Sequence, residues 1–155
     1  MDMKIKKRAL TLIEIMIVIF IIGLIGSVIG YNMKGSLDEG KSFKSEHGSK
    51  QVYDFLTLQI AQKKDAFEGI LANPEEALAN TGFVNRVDKL IKDGWNQKYI
   101  IEKIEPTEGK EADFIVYSKN WYNFLKNKKK LTNQEMQEEY PWAFHFNEEE
   151  IQADG

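Results

Sequence analysis

The sequence contains no cysteine, which excludes a disulfide framework, a cysteine-held zinc or iron–sulfur site and a thiol nucleophile. It has two histidines, His47 and His145. Neither has a second ligand at metal-binding spacing, so both read as structural or exposed. Excess positive charge is also missing: 21 basic against 24 acidic residues leave −3, which gives no reason to expect a nucleic-acid partner. No glycine-rich phosphate loop, Gly-x-Ser-x-Gly elbow, His-Glu-x-x-His pair or internal repeat is present. Neither an enzyme nor a resident cofactor or metal is therefore expected. What remains is ordinary in amount. The 155 residues, 43% apolar and 29% charged, suffice for one domain plus an appendage.

The distribution is not ordinary. Lys4, Lys6, Lys7 and Arg8 face one acid, Asp2, in the first eight residues; residues 9–31 hold a single charge, Glu14; the remainder is acidic on balance. A basic head, an apolar middle and an acidic body is the layout of a single-pass anchor whose basic side stays in the cytoplasm. As a helix, residues 9–31 span roughly 34 Å, enough for a hydrocarbon core of about 30 Å. A cleaved secretory signal fits less well. Its apolar run is shorter, it seldom carries a carboxylate, and it ends in an Ala-x-Ala-like site, whereas this run ends Gly30-Tyr31-Asn32.

Glu14 is the informative residue, because an ionised side chain deep in a lipid-facing helix costs about 2.5–3.5 kcal/mol. Either it reaches the headgroups near Arg8, or it meets a cation supplied by another chain. Lys6-Lys7-Arg8-Ala9-Leu10-Thr11-Leu12-Ile13-Glu14-Ile15-Met16 resembles the prepilin signal of type IV pilins and type II secretion pseudopilins. Two departures are Ala9 where glycine is usual and Leu10 where phenylalanine is commonest. The resemblance implies that a membrane prepilin peptidase cuts between Ala9 and Leu10 and methylates the new amine of Leu10. It also implies that Glu14 pairs with the N-terminal amine of a neighbouring subunit during filament growth. On this basis residues 1–9 are a leader, 10–31 a transmembrane helix and 32–155 a periplasmic globular domain. Gly23, Gly26 and Gly30 lie in the transmembrane segment as points of close helix packing or flexibility. Tyr31 stands where many relatives of this kind have a helix-bending proline.

Beyond Tyr31, Val52, Phe55, Leu56, Ile60, Phe67, Ile70 and Leu71 approximate one helical apolar stripe, loosened upstream by Gly35, Gly40 and Gly48. Asn73-Pro74-Glu75-Glu76 predicts a helix start with Asn73 as N-cap and a capping-box glutamate. Phe83, Val84, Val87, Leu90 and Ile91 extend the helical pattern to Asp93-Gly94, and these stripes read as core. Strands are expected at Tyr99–Ile104 and Asp113–Ser118, joined by a turn from Pro106 to Glu111. Thr132-Asn133-Gln134-Glu135 reads as a capping box opening a helix to about Glu139. The alternating aromatics of Pro141–Phe146 predict a third strand. Lys126–Lys130 and Glu148–Glu150 read as solvated. The expected fold class is α+β: a long N-terminal helix packed on a small antiparallel sheet, pilin-like.

A second resemblance is carried by Lys92-Asp93-Gly94-Trp95-Asn96-Gln97-Lys98-Tyr99. It is similar to the Lys-Asp-Pro-Trp-Gly-Asn-Pro-Tyr stretch of the major pseudopilins of type II secretion, with Asp93, Trp95 and Tyr99 in register. The two resemblances reach from Lys6 to about Ser118; the residues beyond look unlike the family. They imply a structural subunit of a short fibre of identical copies (a pseudopilus). Its partners would be other pseudopilins, the prepilin peptidase, and an inner-membrane secretion platform with its ATPase. A type IV pilin for adhesion or motility is the alternative, although many of those close a C-terminal loop with a disulfide. A membrane-tethered enzyme or binding domain with an uncleaved anchor is the third. Major pseudopilins generally hold calcium after the second strand. Here Ser118–Lys130 offers five lysines and no carboxylate, whereas calcium takes six to eight oxygen ligands, so no calcium site is expected there. Aromatic packing of Trp121, Tyr122 and Phe124 against Trp142, Phe144 and Phe146 is expected to secure the region.

Overall fold

The computed structural model describes residues 10–63, 66–106 and 111–154. Helix α1 spans Leu12–Gln62 and is followed by α2 (Phe67–Ala72), α3 (Pro74–Asn80) and α4 (Val87–Leu90). A hairpin of β1 (Ile100–Ile104) and β2 (Asp113–Tyr117) comes next, then α5 (Lys119–Phe124), a π-helical turn (Leu125–Lys129), α6 (Asn133–Glu139) and α7 (Glu148–Gln152). The chain divides into two compact units, Met1–Leu37 and Asp38–Gly155.

In the first unit the described residues from Leu12 onward are helical, and the side chains of Leu12–Tyr31 and Met33–Leu37 are exposed. This part of α1 is long and apolar enough to cross a membrane, and none of its apolar window is buried. A helix that is hydrophobic all round belongs in lipid or in a bundle of its own kind.

In the second unit α1 turns one face inward. Ser42, Ser45, Ser49, Val52 and Leu56 are buried at alternating steps of three and four, so they stack on one side of the helix. The upper, polar part of that face meets loops. The lower part joins Ile70, Ala77, Leu78, Ile91, Tyr99, Phe114 and Val116 in one core, each fully buried large aliphatic contributing about 1.5–3 kcal/mol. β1 and β2 pair antiparallel, Ile100 opposite Tyr117 and Ile104 opposite Asp113. Phe114 and Val116 alternate onto α1, where the Phe114 ring lies 4.8 Å from that of Tyr53. A second core joins Trp121, Phe124, Leu125, Met136, Tyr140, Ala143 and Phe144. It makes part of the expected aromatic contacts, with Trp121 5.1 Å and Tyr122 6.1 Å from Phe144 and Tyr122 6.4 Å from Phe146, whereas the Phe124 ring lies 6.1 Å from Trp95 and the Trp142 ring 5.8 Å from Tyr140.

Several expectations need correction. The residues at 141–146 form a turn and an irregular run, not a third strand. The N–H groups of Ala143 and Phe144 both donate to the Tyr140 carbonyl, so the backbone folds back on itself and offers β2 a single bond, Val116 N to Trp142 O at 2.9 Å. The apolar stripe through Leu71 is divided between α1 and α2. α1 itself is continuous through Gly35, Gly40 and Gly48. Asn73 makes no side-chain cap; Pro74 alone marks the start of α3. Residues 81–86 leave the helical path at Gly82, whose φ is +69, and Phe83 is 73% exposed, not core. The Thr132 box is present in full, with both reciprocal bonds, and Glu148–Glu150 begin a capped helix whose side chains remain exposed. Lys126 pairs with Asp154 and Lys129 with Glu39, so two of the lysines read as solvated have acidic partners.

Candidate functional site

Two places carry the predicted residues. At the first, Thr11 precedes α1, and its carbonyl and hydroxyl oxygens accept from the Glu14 N–H at 3.1 and 3.4 Å. The Thr-x-x-Glu spacing thus opens the helix and fixes Glu14 in its first turn, where a carboxylate is stabilised by the unsatisfied N–H groups. Leu10 is 68% exposed, and Glu14 is exposed with no cationic partner among the described residues. Ala9 and the basic residues before it lie outside the described residues. A Cβ added at Gly23, Gly26 or Gly30 would meet no other atom of the chain. The space beside these glycines is open.

The second place is the loop around Asp93, whose side chain is fully buried. Oδ1 accepts from the backbone N–H of Trp95 and of Gln97, each at 2.8 Å. Oδ2 accepts from the Ser118 hydroxyl at 2.5 Å and from Asn120 Nδ2 at 3.2 Å. The carboxylate therefore shapes its own turn and ties it to the start of α5, where the same Ser118 oxygen accepts from the Trp121 N–H at 3.2 Å. Asn96 completes the turn at φ 66, a left-handed conformation that asparagine tolerates.

The loop is also fastened to α1. Gly94 N donates to Ser45 Oγ at 2.9 Å, Lys44 Nζ donates to the Asp93 carbonyl at 3.1 Å, and the Tyr99 hydroxyl donates to the Ser45 carbonyl at 2.9 Å. A side chain at Gly94 would collide with the backbone of Lys41, and one at Gly48 with the Tyr99 hydroxyl. Both glycines are required by close approach. Burial, with the nearby Asp93 charge, raises the Tyr99 hydroxyl above its ordinary pKa. Trp95 is half-buried, 6.1 Å from the Phe124 ring. Asp93, Trp95 and Tyr99 are thus brought together as a structural clasp, and nothing in their geometry offers a reacting group to a substrate.

The comparisons with known proteins agree with the first place. The prokaryotic N-terminal methylation motif matches residues 4–30. The chain is 34% identical over 118 residues, 76% of its length and 92% of the relative's, to a protein of Chlamydia trachomatis serovar D provisionally named an outer membrane protein. Similarly named proteins of Chlamydia pneumoniae and Chlamydia muridarum are 34% and 35% identical over 114 residues, 89% of each. This chain belongs to the same family as these chlamydial proteins, and its N-terminal methylation motif is that of pilin-like proteins. No solved structure matches it.

For a pilin-like chain the motif and the fold are those of a structural protein. Sequence reasoning identified the clasp residues Asp93, Trp95 and Tyr99 but missed what they grip. Ser45 and Ser49 lie on the buried face of α1, and Trp142 Nε1 donates to Ser49 Oγ at 3.1 Å. The available signal was the continuation of the Val52–Leu56 face upstream through small polar residues, which are disfavoured in a helix interior unless their hydroxyls are used. The sequence pattern places Ser118 at the end of a strand; its role as the cap of α5 is visible only with Asp93 in place.

Proposed function

We propose that this pilin-like chain is a pseudopilin, a structural subunit of a type II secretion system that assembles with identical copies into a short periplasmic fibre driving export across the outer membrane. Glu14 is the observation that carries the reading. It is the lone carboxylate of an exposed, wholly apolar helical segment and has no partner among the described residues. Such a group is costly in lipid, and a cation beside it in a low-dielectric bundle offsets part of that cost. Prepilin peptidase supplies that cation by cutting between Ala9 and Leu10 on the cytoplasmic face. The new, methylated amine of Leu10 in one subunit then meets Glu14 of another. Open backbone at Gly23, Gly26 and Gly30 lets neighbouring helices approach closely. The N-terminus is cytoplasmic, one span crosses the inner membrane, and the secretion platform with its ATPase drives addition of subunits. The clasp at Asp93, Trp95 and Tyr99 supports a pseudopilin over a type IV pilin, as does the absence of cysteine. The provisional outer-membrane naming of the relatives is consistent with a fibre directed at that membrane.

Mass spectrometry of the membrane-extracted protein is expected to find a methylated Leu10 start; an intact Met1 or a start near Asn32 overturns the reading. Loss of export on deletion, with adhesion and motility retained, separates this role from that of a type IV pilin.

A further inference from the structure

In the unit from Asp38 onward, large apolar side chains are exposed among the described residues at Phe43, Leu58 and Phe83. Two of these sit in surroundings of opposite charge. Phe43 borders a cleft of about 360 Å³ that also contains Glu39, Glu46, Glu139 and Lys129. Lys129 pairs with Glu39 at 2.8 Å, and Glu139 accepts from the Tyr140 hydroxyl at 2.9 Å. Glu46 has no cationic partner among the described residues. Phe83 follows the Gly82 turn, and Arg86, three residues on, is exposed and likewise without an acidic partner among the described residues. Lys89 and Lys92 continue that segment against one acid, Asp88.

The cleft and the loop that follows the basic segment lie against different flanks of α1. Ser45 and Lys44 hold the loop into which the basic segment runs, whereas Glu39, Phe43 and Glu46 line the cleft. At 3.6 residues per turn the mean directions of these two sets are roughly 180° apart round the helix. Complementary surfaces whose charges are unpaired among the described residues of one subunit satisfy each other between copies. The contact is heterologous, and a heterologous contact that does not close generates a helical filament.

We infer that the Phe83–Arg86 turn of one copy docks in the Phe43–Glu46 cleft of the next, Arg86 pairing with Glu46 and the Phe83 ring lying against Phe43. The inference rests on the fibre reading above and names the contact between globular units. The aromatic pair supplies buried apolar area, while the charges set register and select the partner. Both charged residues lie outside the Asp93 clasp and outside the apolar segment of α1.

The test uses the full chain in cells that assemble it. Glu46→Arg and Arg86→Glu, each alone, are expected to lower cross-linked multimers about tenfold with unchanged thermal melts, and the two together to restore them. Because the chain has no cysteine, a Phe43→Cys, Phe83→Cys double variant reports the contact separately, as an oxidant-dependent ladder of disulfide-linked copies. If the double reversal is no better than either single one, or no ladder forms while the unaltered chain still multimerises, the contact is wrong. If the unaltered chain forms no multimers at all, the fibre reading fails and takes the contact with it.

Discussion

Asp93 and Ser118 stand 25 positions apart, and the Ser118 hydroxyl donates to Asp93 Oδ2 at 2.5 Å. Through this bond one buried carboxylate controls both the turn that carries Trp95 and the first turn of α5. The hydroxyl donates to Asp93 while its oxygen accepts from Trp121 N. Hydrogen bonds to a charged group contribute about 1.5–3 kcal/mol each, and leaving their donors unpaired in the interior costs more than never having had them.

Asp93→Asn is therefore expected to destabilise the fold by about 3 kcal/mol. An amide can accept the two backbone bonds, but its NH₂ then faces the donors of Ser118 and Asn120. Urea or thermal unfolding of the detergent-solubilised chain checks this, and a loss below about 1 kcal/mol would demote Asp93 to an ordinary turn residue.

Gly48→Ala is expected to cost about 1–3 kcal/mol, because its methyl group would overlap the Tyr99 hydroxyl. Tyr99→Phe removes that hydroxyl and its bond to Ser45. The two changes combined should then cost less than the sum of each alone, and a double-mutant cycle measures the difference. Strict additivity would show that the helix and ring do not press on each other.

Glu14→Ala is expected to leave membrane insertion intact or slightly improved, since a charge leaves the apolar segment. Multimer formation and export should fall sharply, because the incoming amine loses its counter-ion. Normal export with the variant as the sole copy would reduce Glu14 to an interfacial side chain.

Stability is expected to fall at both ends of the pH range. The Lys126 ammonium and the Asn133 N–H hold the Asp154 carboxyl below its ordinary range. A depressed folded pKa stabilises above the unfolded value near 4 and loses that contribution as pH falls through the folded value. Burial raises the Tyr99 and Tyr140 hydroxyls, and burial together with Glu102 raises Tyr117 to about 12. Those contributions are complete below pH of about 10 and disappear as pH climbs toward the folded values. Thermal melts across pH follow both limbs. Asp154→Asn should flatten the acid limb alone, and an unaltered acid limb would show that its ion pair does not contribute.

Calcium is expected to leave the melting temperature unchanged relative to chelator. Ser118–Lys130 contains five lysines and no carboxylate, and its backbone is taken up by α5 and the π-helical turn. A calcium-specific rise of several degrees would redirect attention to Glu111 and Asp113, and to Glu108, which lies outside the described residues.

The parts that rest on local chemistry are readable along the chain. The apolar run with its single Glu14, the Thr132 capping box and the two strands follow from hydrophobic periodicity and side-chain-to-backbone bonds within a few residues. Asp93, Trp95 and Tyr99 were legible as a set through their resemblance to the pseudopilin stretch. What that set does depends on contacts between distant parts of the fold. Asp93 is a buried clasp because Ser118, Asn120 and the Ser45 face of α1 converge on it from distant positions. Tertiary packing also decided that Trp142, Phe144 and Phe146, which alternate as a strand would, are placed by a turn at Tyr140 that consumes the donors a third strand needs. Alternation reports which side chains seek burial; which backbone groups remain to pair depends on the neighbouring chain.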